Sequence, residues 1–289
     1  MTPASAGPGW SPSDRQAERV AWRRARARRR TLIATASTVL VLTLLVVAAV
    51  SSPGWPRVRE TFFDLDEARA VAPDIIRAFG TNISLFLVAE VCILVVALVV
   101  ALLRVVPVPG LAPLKLLAVI YTDVARGTPT ILVIYLVGFG IPALRLQGVP
   151  TSAFWLGVMA LTFSYGGYVA EVLRAGIASI HPSQWASGRS LGLSYGQTLR
   201  HVVLPQATRR VMPPLINDFV SLQKDTALVV VIGVVVEALR TAQVASSRNF
   251  DYTPYVVAAL GFIALTVPLA RLTDHLALRA VRREQGATP

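Results

Sequence analysis

The sequence predicts an all-α integral membrane protein with six transmembrane helices. Of its 289 residues, 54% are hydrophobic and only 15% are charged, whereas charged residues make up about a quarter of an ordinary soluble domain. The apolar residues form long blocks rather than short periodic runs, as in helices that cross a bilayer. Most arginines stand at the ends of these blocks, where the loops of membrane proteins carry them.

The net charge of +12 does not indicate a nucleic-acid-binding protein. Such a protein carries basic residues on a soluble face with aromatic residues between them, and the arginines here border apolar blocks instead. Lys115 and Lys224 are the only lysines among 28 basic residues. The single cysteine, Cys92, lies inside an apolar block, so the sequence offers no intrachain disulfide and no metal-binding cysteine pair.

Six segments are long enough to cross a hydrocarbon core of about 30 Å. The predicted spans are Thr31–Val50, Thr81–Leu103, Pro113–Ile141, Ala153–Leu173, Met212–Leu239 and Pro254–Arg271. The first block also resembles a signal peptide before a cleavage site. Its apolar run exceeds the usual ~7–15 residues and its basic region is long, so a retained helix is favoured.

These spans divide the chain into three parts. Residues 1–30 form a basic cytoplasmic tail that we expect to be disordered. Residues 31–77 form an additional first transmembrane helix and an external loop, whose mixture of acids, bases and aromatics suits the membrane interface. Residues 78–285 form the main transmembrane domain.

The basic residues also set the orientation. With the N-terminus in the cytoplasm, the inner segments carry 20 arginines and lysines and the outer loops carry 7, while Lys224 lies within a span. Cytoplasmic loops carry the excess of positive charge in membrane proteins. Both termini are therefore predicted to be cytoplasmic.

The inner loop 175–210 is too long for a simple connector and too apolar for a disordered linker. We expect Ser183 to cap a first short helix and Gly192 to allow a turn. Ser194 begins a second helix with the capping-box pattern S-x-x-Q, and Pro205 is expected to end it. Two such helices favour a docking element for a soluble partner, although an interfacial segment without a partner fits the residues equally well.

Several motifs resemble a known family. Gly192, Val202, Leu204 and Pro205 resemble the signature loop of ABC-importer permeases, in which E-A-A is followed by G and then by I-x-L-P. The segments "GYVAEVLRAGIASIHPSQ", "QKDTALVVVIGVVVEALR" and "DVARGTPTILVIYLVGFGIP" are similar to the polar amino acid permeases for histidine, glutamine, glutamate and arginine. The resemblance covers residues 78–285 and leaves out residues 1–77.

The resemblance implies a type I ABC importer permease fold with a cytoplasmic coupling-helix loop, in a bacterial cytoplasmic membrane. It implies uptake of an amino acid driven by ATP that a partner chain hydrolyses. The partners would be ATP-binding cassette subunits, an extracytoplasmic solute-binding protein and a second permease copy or paralogue. The sequence contains no G-x-x-x-x-G-K-[ST] motif, so we expect no enzymatic activity and no bound cofactor, with ATP and Mg held by the partner.

The family pattern assigns coupling to the ATPase to one group of loop residues. These are Ser183, Ala186, Ser187, Gly188, Gly192, Leu193, Leu204 and Pro205. The sequence departs from the pattern at positions 186–188, where Ala-Ser-Gly replaces Glu-Ala-Ala. A glutamate at position 186 would have completed a capping box with Ser183, so Ala186 is expected to weaken that cap and to remove a carboxylate from the docking surface.

Polar residues inside spans are candidates for the substrate path, because an ionised group at a helix centre costs about 2.5–3.5 kcal/mol on insertion scales. The candidates are Asp225, Glu90, Asn82, Thr128, Arg126 and Glu237. The ammonium group of an amino acid requires a carboxylate, and its carboxylate requires an arginine, hydroxyls or a helix N-terminus. A break at Gly127-Thr128-Pro129 would expose such a helix start.

Other polar residues have simpler explanations. Glu171 and Arg174 are spaced to pair on one helix face, and Gly166-Gly167, between Tyr165 and Tyr168, favours close helix packing.

Two other functions remain open at this point. An ATPase-independent secondary transporter or channel would show inverted repeats, and none is visible, while a membrane-anchored docking protein would use the 183–205 loop alone.

Overall fold

The computed structural model describes residues 13–233 and 236–285, which are mostly helical with no strand in these ranges. The chain forms two compact units, residues 1–60 and 61–289. The first contains α1, which is Asp14–Val50. The short helix α2, Trp55–Phe62, spans the boundary between the units.

The helix α1 corrects one expectation. Residues 14–30 were expected to be disordered, but they continue the apolar block as one 37-residue helix, roughly 55 Å long at 1.5 Å per residue. Alanine and arginine are among the best helix formers, and the side chain of Gln16 accepts a hydrogen bond from the backbone of Ser13 at the start of the helix (3.4 Å). Residues 1–12 of the predicted tail lie outside the described residues.

The second unit contains ten α-helices among its described residues. They are α3 (Leu65–Val105), α4 (Ala112–Gly127), α5 (Thr130–Tyr135), α6 (Ile141–Ala143), α7 (Ala153–Ala178), α8 (Pro182–Ser190), α9 (Tyr195–Thr198), α10 (Leu204–Asp225), α11 (Ala238–Asn249) and α12 (Thr253–Gln285). A π-helical turn joins α5 to α6 and another joins α9 to α10, and a 3-10 helix, Thr226–Ile232, extends α10.

Four helices are long and apolar enough to cross a membrane among the described residues, and a bent pair makes a fifth candidate. They are residues Ala25–Val50 of α1, Trp55–Val105 over α2 and α3, Ala153–Ala178, which is α7, and Thr253–Thr273 of α12. The bent pair corresponds to the predicted third span, which turns by 106° between Gly127 and Thr130. The predicted break at Gly127-Thr128-Pro129 is therefore confirmed, because proline prevents the preceding residue from remaining helical.

The predicted fifth span, Met212–Leu239, is not one helix, and the count of six spans is not confirmed. α10 ends at Asp225, a 3-10 helix follows to Ile232, and Gly233 has φ of 79°, which ends the helical path. The segment also carries Pro213 and Pro214 within α10. Hydropathy registers apolar residues and does not detect the glycine at which the helical path ends, which is why it predicted one span here.

The core of the second unit is built around α7, which packs against α3, α4, α5 and α10. Small residues make this contact close. A Cβ atom added to Gly167 would lie 2.5 Å from the Cβ atom of Ala125 on α4, so no larger side chain fits without a shift of the helices. This confirms the packing role predicted for Gly166-Gly167.

A second cluster fixes α11. The buried residues Ile75 and Phe79 of α3 contact Ala238 and Ala242 of α11 and Ala258 of α12. These contacts hold the start of α11 against α3, which positions the polar residues described next.

Candidate functional site

The break between Ile232 and Ala238 is joined to α3 by a buried amide. The Asn82 side chain, 2% exposed, donates hydrogen bonds to the Thr226 hydroxyl and to the Glu237 carboxylate (3.2 Å each) and accepts one from the backbone N–H of Ala238 (3.0 Å). One side chain thus connects α3, the 3-10 helix and the start of α11.

Glu237 caps α11. Its carboxylate accepts hydrogen bonds from the backbone N–H groups of Leu239 (2.8 Å) and Arg240, two of the donors that every helix leaves without partners at its N-terminus. Glu237 is 1% exposed. Asn82 and Glu237, both expected on the substrate path, therefore bind groups of the protein itself.

A cluster of carboxylates surrounds Tyr165 of α7. The Tyr165 hydroxyl donates a hydrogen bond to Asp225 (2.8 Å) at the end of α10. Asp218 lies two helical turns before Asp225 and therefore on the same face of α10, and it also interacts electrostatically with Tyr165. Glu90 of α3 interacts electrostatically with Asp218.

Packing between α3 and α10 explains why these acids converge. The ring of Phe86 contacts that of Phe219 edge to face, with centroids 4.6 Å apart. Glu90 lies one turn after Phe86, and Asp218 directly precedes Phe219, so the aromatic pair brings together the helix segments that carry the two carboxyl groups. The sequence predicted Glu90 and Asp225 as candidates, but it assigned Tyr165 only a place beside a packing motif and assigned no role to Asp218.

The carboxylate cluster has no basic counterpart in the described part of the chain. The ion pairs found there do not include Glu90, Asp218 or Asp225. One Asp218 oxygen and the Ser164 hydroxyl are buried without a hydrogen-bond partner. The arrangement is an acidic, polar surface between α3, α7 and α10, and an ionised carboxylate there would suit a cation or an ammonium group.

Two further candidates lie apart from this cluster. Arg126 is exposed near the end of α4, where its carbonyl accepts a hydrogen bond from the Tyr168 hydroxyl (3.1 Å). Thr128 is half-buried at the C-terminus of α4, just before the bend. No three histidine, cysteine, aspartate or glutamate side chains of the described ranges meet in a way that would hold a metal ion.

Glu171 forms a larger ion-pair network than the sequence indicated. It pairs with Arg174 on the same helix (2.6 Å), as predicted, and also with Arg104 at the end of α3 (2.7 Å). The Arg104 side chain is only 12% exposed. The contact with Arg104 joins α3 to α7 and could not be read from spacing along the chain.

The loop after α7 contains the two predicted short helices, but the first begins differently. The Nδ1 atom of His181, not the Ser183 hydroxyl, caps α8 by accepting a hydrogen bond from the backbone N–H of Ser183 (3.2 Å). Position 186 is therefore not the capping-box position, so the expected loss of a capping bond at Ala186 was wrong. Ser183, Ala186 and Ser187 are exposed.

The end of α8 confirms the predicted turn. Gly192 has φ of 79°, and the hydrogen bonds from Gly192 N–H to Arg189 O (2.9 Å) and from Leu193 N–H to Gly188 O (3.2 Å) form a Schellman motif. Gly188 is buried, and a Cβ atom there would lie 2.6 Å from a methyl carbon of Thr198. The close contact accounts for glycine at a position where the family pattern has alanine.

The second helix starts as predicted and ends elsewhere. Ser194 and Gln197 form the capping box, with hydrogen bonds of 3.3 and 2.8 Å. The helix does not stop at Pro205 but continues through a π-helical turn, Leu199–Val203, into α10. The wider turn precedes the proline, whose missing N–H and bulky ring disrupt regular α-helical bonding, and so allows the chain to stay helical.

The loop is held to the membrane helices by an apolar cluster. Ile177 and Ile180 pack against Leu199, Val203 and Ala207. Trp185 stacks on Tyr195, with centroids 5.0 Å apart, and the Tyr195 hydroxyl donates to the carbonyl of Val105 at the end of α3 (3.3 Å). Leu204 is half-buried beside this cluster and Pro205 is exposed, so one side of the loop packs on the protein and the other faces outward.

Comparison with known proteins identifies this arrangement. Residues 110–282, more than half of the chain, match the family described as binding-protein-dependent transport system inner membrane component. The chain belongs to this family. As a member, this inner membrane component is a multi-pass membrane protein, and the predicted all-α membrane fold class is confirmed, whereas the count of six spans is not.

Individual relatives agree with the family. The inner membrane component is 31% identical to the arginine transport system permease protein ArtQ of Bacillus subtilis (strain 168) over 198 residues, which cover 68% of this chain and 88% of that protein. It is also 31% identical to the glutamate transport system permease protein GluC of Corynebacterium glutamicum, over 72% of this chain and 96% of that protein.

Solved structures show the same fold. A chain of an amino acid ABC transporter crystallised with histidines is 30% identical, with a TM-score of 0.67 over 75% of this chain and 98% of the other. A chain of the inward-facing MetNI methionine ABC transporter is 16% identical, with a TM-score of 0.59 over 72% and 96%. The second likeness concerns the fold alone.

The buried amide at the break yields a first prediction. In an Asn82→Ala variant, Ala238 N–H loses its partner and Glu237 loses a donor, and each unsatisfied buried group costs ~1–3 kcal/mol. We expect a lower melting temperature and faster hydrogen–deuterium exchange in residues 226–241. Ser84→Ala is the control, because that exposed hydroxyl bonds only to Gly80 O on its own helix. Unchanged exchange in the Asn82→Ala variant would show that the break does not depend on this side chain.

Proposed function

We propose that the chain is the transmembrane permease subunit of an ATP-binding-cassette importer for polar amino acids in a bacterial cytoplasmic membrane. The family match carries this proposal. Its substrate class is supported by relatives named for arginine and glutamate transport and by the likeness to an amino acid ABC transporter with histidines.

The carboxylate cluster is the proposed cation-binding part of the substrate path. An amino acid that leaves water must keep a counter-charge for its ammonium group, because an unpaired charge in a low-dielectric environment is costly. Asp225 and Glu90 supply such charges from α10 and α3. Tyr165 fixes the Asp225 carboxylate by a hydrogen bond and leaves its remaining lone pairs available.

The position of Asp225 supports this role. It is half-buried and lies where α10 is followed by the 3-10 helix Thr226–Ile232, so a change in that 3-10 helix would move its backbone. Lys224 is its neighbour in sequence but points about 100° away around the helix and is exposed. Asn82 and Glu237 are proposed to shape the path by holding the backbone, and Arg126 and Thr128 to border it at the bend.

The loop after α7 is the proposed coupling element. Its exposed residues Ser183, Ala186 and Ser187 would contact the ATPase, while Trp185 and Leu204 on its packed side hold it to α3 and α7. A displacement of α8 would therefore be transmitted to the spanning helices through direct contacts. Since α10 continues the second helix of the loop without interruption, the same displacement would also move Asp225.

The family membership also supports proposals for the other components of the importer. ATP and Mg would be held by the partner ATPase subunits, with no cofactor on this chain. A solute-binding protein would deliver the amino acid from outside, and a second permease copy or paralogue would complete the translocation unit. Both termini would be cytoplasmic, as the arginine distribution indicates.

Removing the Asp225 charge tests the substrate path. Asp225→Asn preserves size and hydrogen bonding, so we expect ATP-driven uptake of a cationic amino acid to fall about tenfold, equivalent to ~1.4 kcal/mol, with little change in melting temperature. Asp74→Asn is the control, because Asp74 forms an exposed pair with Arg77. Normal uptake by Asp225→Asn together with loss of uptake by Glu90→Gln would move the site to α3 and contradict the assignment of Asp225.

Gly192 tests the coupling element. Valine is strongly disfavoured at φ of 79°, whereas asparagine tolerates the left-handed region. A Cβ atom at this position would meet nothing within 4 Å, so any effect arises from the backbone. We expect Gly192→Val to abolish substrate-stimulated ATP hydrolysis by the assembled importer while basal hydrolysis persists, and Gly192→Asn to retain stimulation. Equal stimulation in both variants would show that coupling does not depend on the backbone conformation of Gly192.

A further inference from the structure

A basic cavity lies where two membrane helices end beside the loop after α7. Its volume is about 540 Å³. Arg104 and Val105 line it from the last turn of α3, Ile177 from the last turn of α7, and Trp185 from α8. Because α3 and α7 both end here, the cavity lies at the level where a bilayer changes from hydrocarbon to headgroups.

The charge of the cavity is positive. Arg104, Arg174 and Arg189 all line it, and the nearby carboxylate is that of Glu171, which is already engaged by Arg104 and Arg174. Arg189 is exposed and has no ion pair within the described part of the chain. Three guanidinium groups against one carboxylate leave an excess of positive charge, and guanidinium forms bidentate hydrogen bonds with phosphate.

The rest of the wall is apolar and aromatic. Val105, Ile177 and Ile180 contribute aliphatic surface, and the stacked rings of Trp185 and Tyr195 form one side. Tryptophan and tyrosine prefer the membrane interface, where an apolar ring and a polar edge are both accommodated. A small water-soluble anion would use the arginines but would leave this apolar surface without a partner.

We propose that this cavity binds the headgroup of one anionic phospholipid, with the phosphate on the arginines and the glycerol and upper acyl chain on the apolar wall. Basic pockets at the cytoplasmic ends of transmembrane helices bind anionic headgroups in this way. The lipid bridges Arg189 of α8 to Arg174 of α7 and so reinforces the contact between the loop and the membrane helices. The assignment does not depend on the transported substrate.

The test uses Trp185 as a reporter inside the cavity. In the full-length chain with its other four tryptophans replaced by phenylalanine, reconstituted into phosphatidylcholine nanodiscs, we expect brominated phosphatidylglycerol to quench Trp185 more strongly than brominated phosphatidylcholine at equal mole fraction. Arg189→Gln lowers this selectivity about fivefold, equivalent to ~1 kcal/mol for one arginine. Arg189 is exposed, so its replacement preserves the fold, which circular dichroism verifies.

Arg200→Gln is the matched control, because Arg200 is an exposed arginine of the same loop that does not line the cavity, and it retains the selectivity. Equal quenching by the two lipids, or equal loss of selectivity in both arginine variants, overturns the proposal. If millimolar inorganic phosphate abolishes the selective quenching, the cavity binds a free anion, and the proposal of a lipid ligand is overturned. Loss of the quenching when the partner ATPase binds would show that a protein covers the cavity in the complex. This result would also overturn the lipid proposal.

Discussion

Every backbone N–H and C=O group within a membrane must find its partner inside the protein, because hydrocarbon offers none. The same need applies to the buried start of α11, and Asn82 and Glu237 meet it together. Asn82 binds Ala238 N–H, and Glu237 binds the next two N–H groups of α11. These two polar side chains allow α10 and α11 to be separate elements at a place where hydropathy favours one helix.

The carboxylate cluster depends on how closely the neighbouring helices pack. Gly167 lets α7 approach α4 at the distance of a Cβ contact, and the Phe86–Phe219 pair sets α3 beside α10. Tyr165 can therefore reach Asp225 from α7. The segment from Tyr195 to Asp225 is helical throughout. This helical segment joins the outward-facing loop to the acidic surface. The proposed substrate-binding and coupling regions therefore share this helical segment.

Local chemistry was predictable from the sequence and tertiary contacts were not. The turn at Gly192, the capping box of Ser194 and the bend before Thr130 each depend on residues within a few positions of one another. His181 rather than Ser183 is the cap because α8 begins two residues earlier than predicted, at Pro182, so that the imidazole accepts a hydrogen bond from the backbone N–H of Ser183. The helix through Pro205 required a π-helical turn, and the Arg104–Glu171 pair joins residues 67 positions apart.

Accumulation of substrate in proteoliposomes tests directly whether the chain works as the permease subunit of an ATP-driven amino acid importer. The chain is reconstituted with its ATPase and solute-binding protein, and radiolabelled arginine and glutamate are followed with ATP or a non-hydrolysable analogue inside. We expect a polar amino acid to be concentrated above its external level only when ATP is hydrolysed. Equilibration of the amino acid without ATP, or uptake by the chain alone, would contradict it and would favour a channel or a secondary transporter.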